Sequence, residues 1–360
     1  MLNKDLTQVT LLLQMTTNLY PRKLLYGLIA ISLSLTACTK DNIVIQPAQE
    51  YNVPLVISYA NNSVTPLVTI NINGESRQVI FDTGSAGLRI VSGAVDPATL
   101  EPHEDTLRYI YGAGSNKLIT KGNLAGAYFS LEPAMGTSSI RFMLIDSLGR
   151  STDGILHSID PSETTDANFR GYSGVLGVGL EYNNDGAADP IAQLPGNGKY
   201  IVEFPAYGQT NGKVIINPCG SDLSGFAMFN VPLGNYLIPN GDNSWNDHDL
   251  HGQVVLNGVS LTNGILFDTG TPQIVLTTNL IPSGTAENGT FSYGLIPQGD
   301  TEPSFQSKFT ITEQKAGVDL VQIIPVGPQD PASTNLGTRV FFDYDVLYDQ
   351  VSGKIGVRKK

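Results

Sequence analysis

From Leu67 the chain reads Leu-Val-Thr-Ile-Asn-Ile and then stops at Asn73-Gly74. Apolar and polar positions alternate there with the two-residue period of a strand that buries one face. Asn-Gly is the preferred dipeptide of a two-residue hairpin loop, so a turn is expected at 73–74. Gln253-Val254-Val255-Leu256 before Asn257-Gly258 predicts another. Two shorter runs, Val79-Ile80-Phe81 and Ile265-Leu266-Phe267, are continuously apolar and strand-like. A short helix is expected at Asp189-Pro190-Ile191-Ala192-Gln193-Leu194, one of few such places. With 38 glycines, 21 prolines and only 15% charged residues, the composition favours short strands and tight turns over long helices. The expected class is all-β, and 360 residues suffice for one large or two medium domains.

The two apolar runs end in nearly the same phrase: Asp82-Thr83-Gly84-Ser85 and Asp268-Thr269-Gly270-Thr271, with the aspartates 186 positions apart. One copy is weak evidence, because Asp and Gly belong to any tight turn. A chance match to such a string is expected in roughly a few per cent of chains this long. Two copies, each behind a strand-like run and half a chain apart, point instead to two similar lobes that each supply a carboxylate. Two carboxylates about 3 Å apart cannot both ionise, so they share a proton. One can then accept a proton from water while the other gives one to a substrate carbonyl. That chemistry needs no metal, cofactor or covalent nucleophile, and none is expected.

With these motifs the chain resembles the pepsin-like aspartic peptidases from Tyr51 nearly to Val357. The similarity extends to the strand Tyr172-Ser173-Gly174-Val175-Leu176-Gly177-Val178-Gly179, which in that family passes beside the first aspartate loop. It also covers Leu336-Gly337 through Tyr344, Val346, Tyr348-Asp349 and Lys354-Ile355-Gly356-Val357. Tyr111-Gly112-Ala113-Gly114-Ser115 resembles the flap, the hairpin that closes over substrate. The resemblance implies a bilobal all-β fold of two β-barrel-like lobes, 51–185 and 186–360, with a cleft between them. It implies Asp82 and Asp268 as the catalytic pair bridged by the attacking water, with no fixed acid or base. Thr83 and Thr269 would reach across to the opposite loop's backbone, and Ser85 and Thr271 would bond the outer carboxylate oxygens. Gly84 and Gly270 would leave room for backbone amides, and Tyr111, Gly112 and Ala113 would meet an extended peptide or protein substrate.

Several positions depart from the family. Arg89 stands where eukaryotic relatives place a tryptophan that braces the flap tyrosine. It would either favour ionised carboxylates in the pair or form an ion pair facing away from the cleft. Ser173 and Thr338 replace frequent aspartates, and Pro272 directly follows the second motif. The alternative function is an inactive pepsin-like envelope protein that binds a peptide or surface partner.

Pro21-Arg22-Lys23 precedes an apolar stretch from Leu24 to Leu35, the pattern of an export signal too short for a comfortable membrane span. It ends in Leu35-Thr36-Ala37-Cys38, which resembles a bacterial lipobox. This implies cleavage after residue 37, a lipid anchor on Cys38, a polar linker through residue 50, and an outer-membrane or cell-surface address. Cys219 then has no partner for a disulfide. After cleavage 18 basic and 32 acidic residues remain. Such negative charge argues against nucleic acid and against electrostatic docking on anionic lipid. A monomer is expected, because one chain carries both half-sites. His248-Asp249-Leu250-His251 lies in a loop-like stretch without a third ligand nearby in sequence, and is expected to be a solvated turn. A serine triad and a phosphate-binding glycine loop are unsupported.

Overall fold

Both Asn-Gly turns form where the alternation stops. Ile72 pairs with Glu75, and Leu256 with Val259. Asn73 (φ 49°), Gly74 (94°), Asn257 (50°) and Gly258 (87°) all take the positive φ that a type I′ loop requires. The computed structural model in which these turns are seen describes residues 49–360 except 61–62, 113, 132–133, 195, 287, 312–316 and 328–330. The expected leader, Cys38, the linker up to residue 48 and Ala113 lie outside the described residues.

Among the described residues, a fourteen-stranded sheet and an eight-stranded sheet carry the fold, beside a separate small hairpin of Leu233–Leu237 and Asn243–Trp245. The strand Thr65–Ile72 pairs with Glu75–Asp82 on one side and with Leu118–Leu131 on the other. The sheet thereby closes on itself into a barrel, which removes exposed edges. The same sheet continues outward from Tyr51–Ser58 through Asn211–Ile216, Lys199–Glu203, Tyr344–Asp349 and Lys354–Lys359. The last strands of the chain are thus bonded into the sheet that holds its first described strand. The eight-stranded sheet spans Leu250–Leu256 through Ser333–Asn335 and forms the second, barrel-like lobe.

In each half, a later strand slips beside the strand that leads to the repeated phrase. Gly174–Val178 runs parallel to Glu75–Asp82, pairing Ile80 with Val175 and Asp82 with Gly177. It runs antiparallel to Ala86–Val91 on its other edge. Ser333–Asn335 repeats the arrangement, parallel to Val259–Leu266 and antiparallel to Ile274–Thr277. Each aspartate therefore leaves the end of a strand held on both sides, which is how a short loop acquires a fixed direction.

The apolar runs behind the aspartates are core. Phe81 and Phe267 are 0% and 1% exposed, burial that contributes about 1.5–3 kcal/mol per side chain. Tyr200 and Tyr348 stack beside them with ring centroids 4.8 Å apart. Tyr348 donates its hydroxyl to the Phe267 carbonyl at 3.3 Å, and Tyr200 donates to that of Val178. The expected helix forms over Pro190–Gln193, with Asp189 accepting the Ile191 N–H at 2.8 Å as its cap. A second short helix, Arg339–Asp343, lies within the stretch read from the sequence as C-terminal strands.

Candidate active site

The two repeated loops meet. Thr83 donates its N–H to Thr269 Oγ1, and Thr269 donates its N–H to Thr83 Oγ1, both at 3.0 Å. Each hydroxyl then donates across to the carbonyl that precedes the opposite aspartate. Thr83 reaches Phe267 at 2.8 Å, and Thr269 reaches Phe81 at 2.7 Å. Both threonines are fully buried, so four bonds stand in a setting where an unmade one is costly.

This lock presents Asp82 and Asp268 to one another, near enough for the charge of one to act on the other. Both are buried, at 7% and 6% exposure. Asp82 Oδ1 accepts the Gly84 N–H at 2.8 Å, and its Oδ2 accepts the Ser85 hydroxyl at 2.6 Å. Asp268 Oδ1 accepts the N–H of Gly270 at 2.7 Å and of Thr271 at 3.1 Å. Burial first, and then the charge of Asp268, push the Asp82 carboxyl well above the ordinary carboxylate range.

The glycines serve a second purpose beyond admitting amides. A Cβ at Gly84 would sit 2.6 Å from Asp268 Oδ1, and one at Gly270 would sit 2.5 Å from Asp82 Oδ1. Their missing side chains make room for the opposite carboxyl.

Thr271 departs from expectation. It supplies its backbone N–H, and the side-chain donor on Asp268 Oδ2 is Asn335, whose Nδ2 lies 2.5 Å away. Asn335 directly precedes Leu336-Gly337 and pairs with Leu266, as Val175 pairs with Ile80 in the first half. A polar residue at that otherwise apolar strand position was the available signal. Arg170 was also missed. It donates to the Gly270 carbonyl at 3.0 Å and to Thr65 Oγ1 at 2.8 Å, tying the second loop to the first lobe. Its left-handed backbone (φ 56°) has no mark in the sequence.

The hairpin expected to be the flap joins Glu101–Tyr111 to Leu118–Leu131, with Tyr111 opposite Leu118 at its tip and Gly112 at φ 86° beginning the turn. The Tyr111 ring packs edge-on to Tyr109 and Phe169, at 4.8 and 6.2 Å, and its hydroxyl is buried without a hydrogen-bond partner. Arg89 lies beneath it. The guanidinium stacks 3.5 Å from the Tyr109 ring centre, bonds the Ala86 carbonyl, and pairs with Asp185 at 2.9 Å. Of the two expectations for Arg89, the ion pair is the one formed. Burial opposes its charge, and the ion pair with Asp185 counters this. Asp82 stays raised rather than lowered.

Ser173 and Thr338 act within the backbone framework. The Ser173 carbonyl accepts the Val91 N–H at 2.9 Å, and Thr338 donates its hydroxyl to the Pro272 carbonyl at 2.9 Å. His248 pairs with Glu181 at 3.2 Å. Together with Asp247 these two bring ligand-type atoms within 4.8 Å of one another, although Asp247 Oδ2 already accepts the Leu180 N–H at 2.6 Å. Cys219 is exposed and unpaired, and its hydrogen bond to Glu50 raises its pKa, the opposite of an activated thiol.

No family model matches the chain, and no curated protein matches it. Among solved structures, it is similar to the crystal structure of an aspartic proteinase from Irpex lacteus. The TM-score is 0.53 and the identity 13%, over 87% of this chain and 98% of that one. At that identity the likeness establishes the fold, the bilobal all-β fold of the pepsin-like aspartic proteinases.

Proposed function

We propose that the chain is an aspartic endopeptidase that hydrolyses extended peptides through Asp82 and Asp268. The observation that carries this is the reciprocal Thr83–Thr269 lock, which sets two buried carboxyls against each other over glycines too small to intervene. A buried pair sharing one proton is poised to act on both partners of a hydrolysis. One carboxylate takes a proton from water as its oxygen attacks the scissile carbonyl carbon, and the other acid protonates the carbonyl oxygen. Collapse of that intermediate, with proton delivery to the amide nitrogen, separates the products. The flap hairpin, with Tyr111 near its tip, would cover the substrate and exclude water.

We further propose that the enzyme works as a monomer outside the cytoplasm, tethered to a bacterial envelope through a lipid on Cys38.

The test is hydrolysis of a mixed peptide library by the full chain from pH 3 to 7, with and without pepstatin. Pepstatin-sensitive cleavage that disappears in Asp82→Asn and in Asp268→Asn, both still folded, is the expected result. Absence of cleavage by a folded sample at every pH would favour the peptide-binding alternative.

A further inference from the structure

The two halves of the site differ at one equivalent side chain. The residue paired with the position two before the aspartate is Val175 in the first lobe and Asn335 in the second. Asn335 is half-buried. Its Oδ1 accepts the Gly337 N–H at 2.8 Å, while its Nδ2 donates to Asp268 Oδ2 at 2.5 Å. The first bond orients the amide. Its oxygen is committed to an N–H, so the end that faces Asp268 is the NH2, which can only donate.

We propose that Asn335 is a positioning residue that holds Asp268 as the ionised member of the pair and leaves the shared proton on Asp82. This assignment rests on the peptidase function above and gives each carboxyl a role that the repeated motif alone leaves open.

The hydrogen-bond polarity supports it. Asp268 receives three N–H donors, from Gly270, Thr271 and Asn335. Each favours the unprotonated carboxylate. Asp82 receives one N–H, from Gly84, and the Ser85 hydroxyl. That hydroxyl can rotate and accept from a protonated Asp82, which no N–H can do. Arg170 adds to the asymmetry. It bonds the carbonyl of Gly270, whose N–H bonds Asp268, and its charge acts on Asp268 more than on Asp82. The remaining titratable groups facing the pair are Tyr348, Tyr200, Tyr109 and Tyr111. Burial raises all four hydroxyls, so they stay neutral and add no competing charge at acidic or neutral pH. In hydrolysis Asp268 would then take the proton from water, and Asp82 would pass its own to the carbonyl oxygen.

Carbon-13 resonances of the two carboxyls test the assignment directly. They are assigned with Asp82→Asn and Asp268→Asn and followed from pH 3 to 9 in the full chain. The pair titrates in two steps, and the lower step should report at Asp268. Asn335→Val, which installs the first lobe's residue, should raise that step by a unit or more, a tenfold loss of acidity. Asn335→Leu, close to asparagine in size, removes the donor to Asp268 without adding a charge. It should shift the step the same way even if the valine variant fails to fold. In kinetics, the acid limb of kcat/KM should move up in parallel in both variants, by about one pH unit. A lower step located on Asp82, or one unmoved in a folded variant, overturns the proposal. A wild-type chain that titrates as expected but cleaves no peptide overturns the peptidase function and leaves the role of Asn335 standing.

Discussion

Thr83 and Thr269 are each other's hydrogen-bond donor and acceptor, 3.0 Å in both directions, across two halves of a chain that meet nowhere nearby in sequence. Each hydroxyl is used twice, accepting from the partner's N–H and donating to the carbonyl before the partner's aspartate. The carboxyls inherit their geometry from this exchange, because Asp82 and Asp268 are the residues directly before the two threonines.

Valine in place of either threonine preserves volume but strands a buried N–H and takes a donor from a buried carbonyl, that of Phe267 keeping only the 3.3 Å bond from Tyr348. With about 1–3 kcal/mol for each unmade bond, Thr83→Val and Thr269→Val should each lose about 2–4 kcal/mol of stability. Each variant removes its own two of the four bonds, and because a loop loosened by the first loss holds the remaining two less firmly, the double variant should lose less than the sum. Urea unfolding of the four proteins closes the cycle, and additive losses would contradict the shared lock.

Gly84→Ala and Gly270→Ala should each abolish activity while the protein still folds. The added methyl group lies 2.5–2.6 Å from a carboxylate oxygen of the opposite lobe, closer than van der Waals contact allows, so the pair must separate. A displacement near 1 Å at a reacting centre costs on the order of a hundredfold in rate. Peptide hydrolysis beside a circular dichroism spectrum checks both halves of the expectation, and near-normal turnover in either variant would sink it.

Arg89 is 1% exposed and ion-paired. Arg89→Met should therefore cost about 3 kcal/mol, since Asp185 loses its cation and Tyr109 the guanidinium stacked on it. Asp185→Asn should cost at least as much, because it strands the guanidinium of Arg89, which is 1% exposed against 18% for Asp185. The acid limb of the pH–rate profile should not move in Arg89→Met, since Arg89 is committed to Asp185 and to the Tyr109 ring rather than to the pair. Thermal melts and the rate profile measure the two effects separately.

Stability itself should fall as pH rises from about 4 to 7. Burial raises the carboxyls of Asp82 and Asp189, and it holds Asp247 at about 6 against an ordinary 3.8. A raised carboxyl binds its proton more tightly folded than unfolded. Its contribution is complete below pH 3.8 and is lost as the pH climbs through the folded value. For Asp247 the loss is on the order of 2–3 kcal/mol. Asp349 opposes the trend at the acid end, since Lys199 and Ser352 hold its carboxyl low against the effect of burial, and that stabilisation disappears as acid protonates it. Melting temperatures from pH 3 to 8 should thus peak on the acidic side of neutral. Asp247→Asn, whose amide oxygen can still accept the Leu180 N–H, should flatten the fall between pH 4 and 6. An unchanged slope would remove Asp247 from this account.

Local features were readable from the chain because their causes are local. Asn73-Gly74 and Asn257-Gly258 turn because those residues accept positive φ, and Asp189-Pro190 starts a helix with its own side chain as cap. The meeting of Asp82 with Asp268 was also legible, through repetition. A strand, a carboxyl, a hydroxyl and a glycine occurring twice imply two lobes that face each other. Asn335 and Arg170 were not legible. Their partners, Asp268 and the Gly270 carbonyl, lie 67 and 100 positions away, and although a polar Asn335 in an apolar strand is a signal, nothing near either residue names its partner. Arg89 could be seen as a departure, but its partner Asp185, 96 positions on, could not.

By itself, then, the sequence determined which backbone conformations are cheap and which side chains recur in pairs, because steric limits and hydrophobic period act over a few residues. Tertiary structure alone decided how the two carboxyls differ. Their environments are composed of donors that arrive from separate strands: Ser85 from the loop of Asp82 itself, and Asn335 from a strand inserted beside Val259–Leu266. The asymmetry of a pair that is nearly symmetric in sequence exists only once those strands are packed, since a hydrogen bond depends on distance and direction and not on order along the chain.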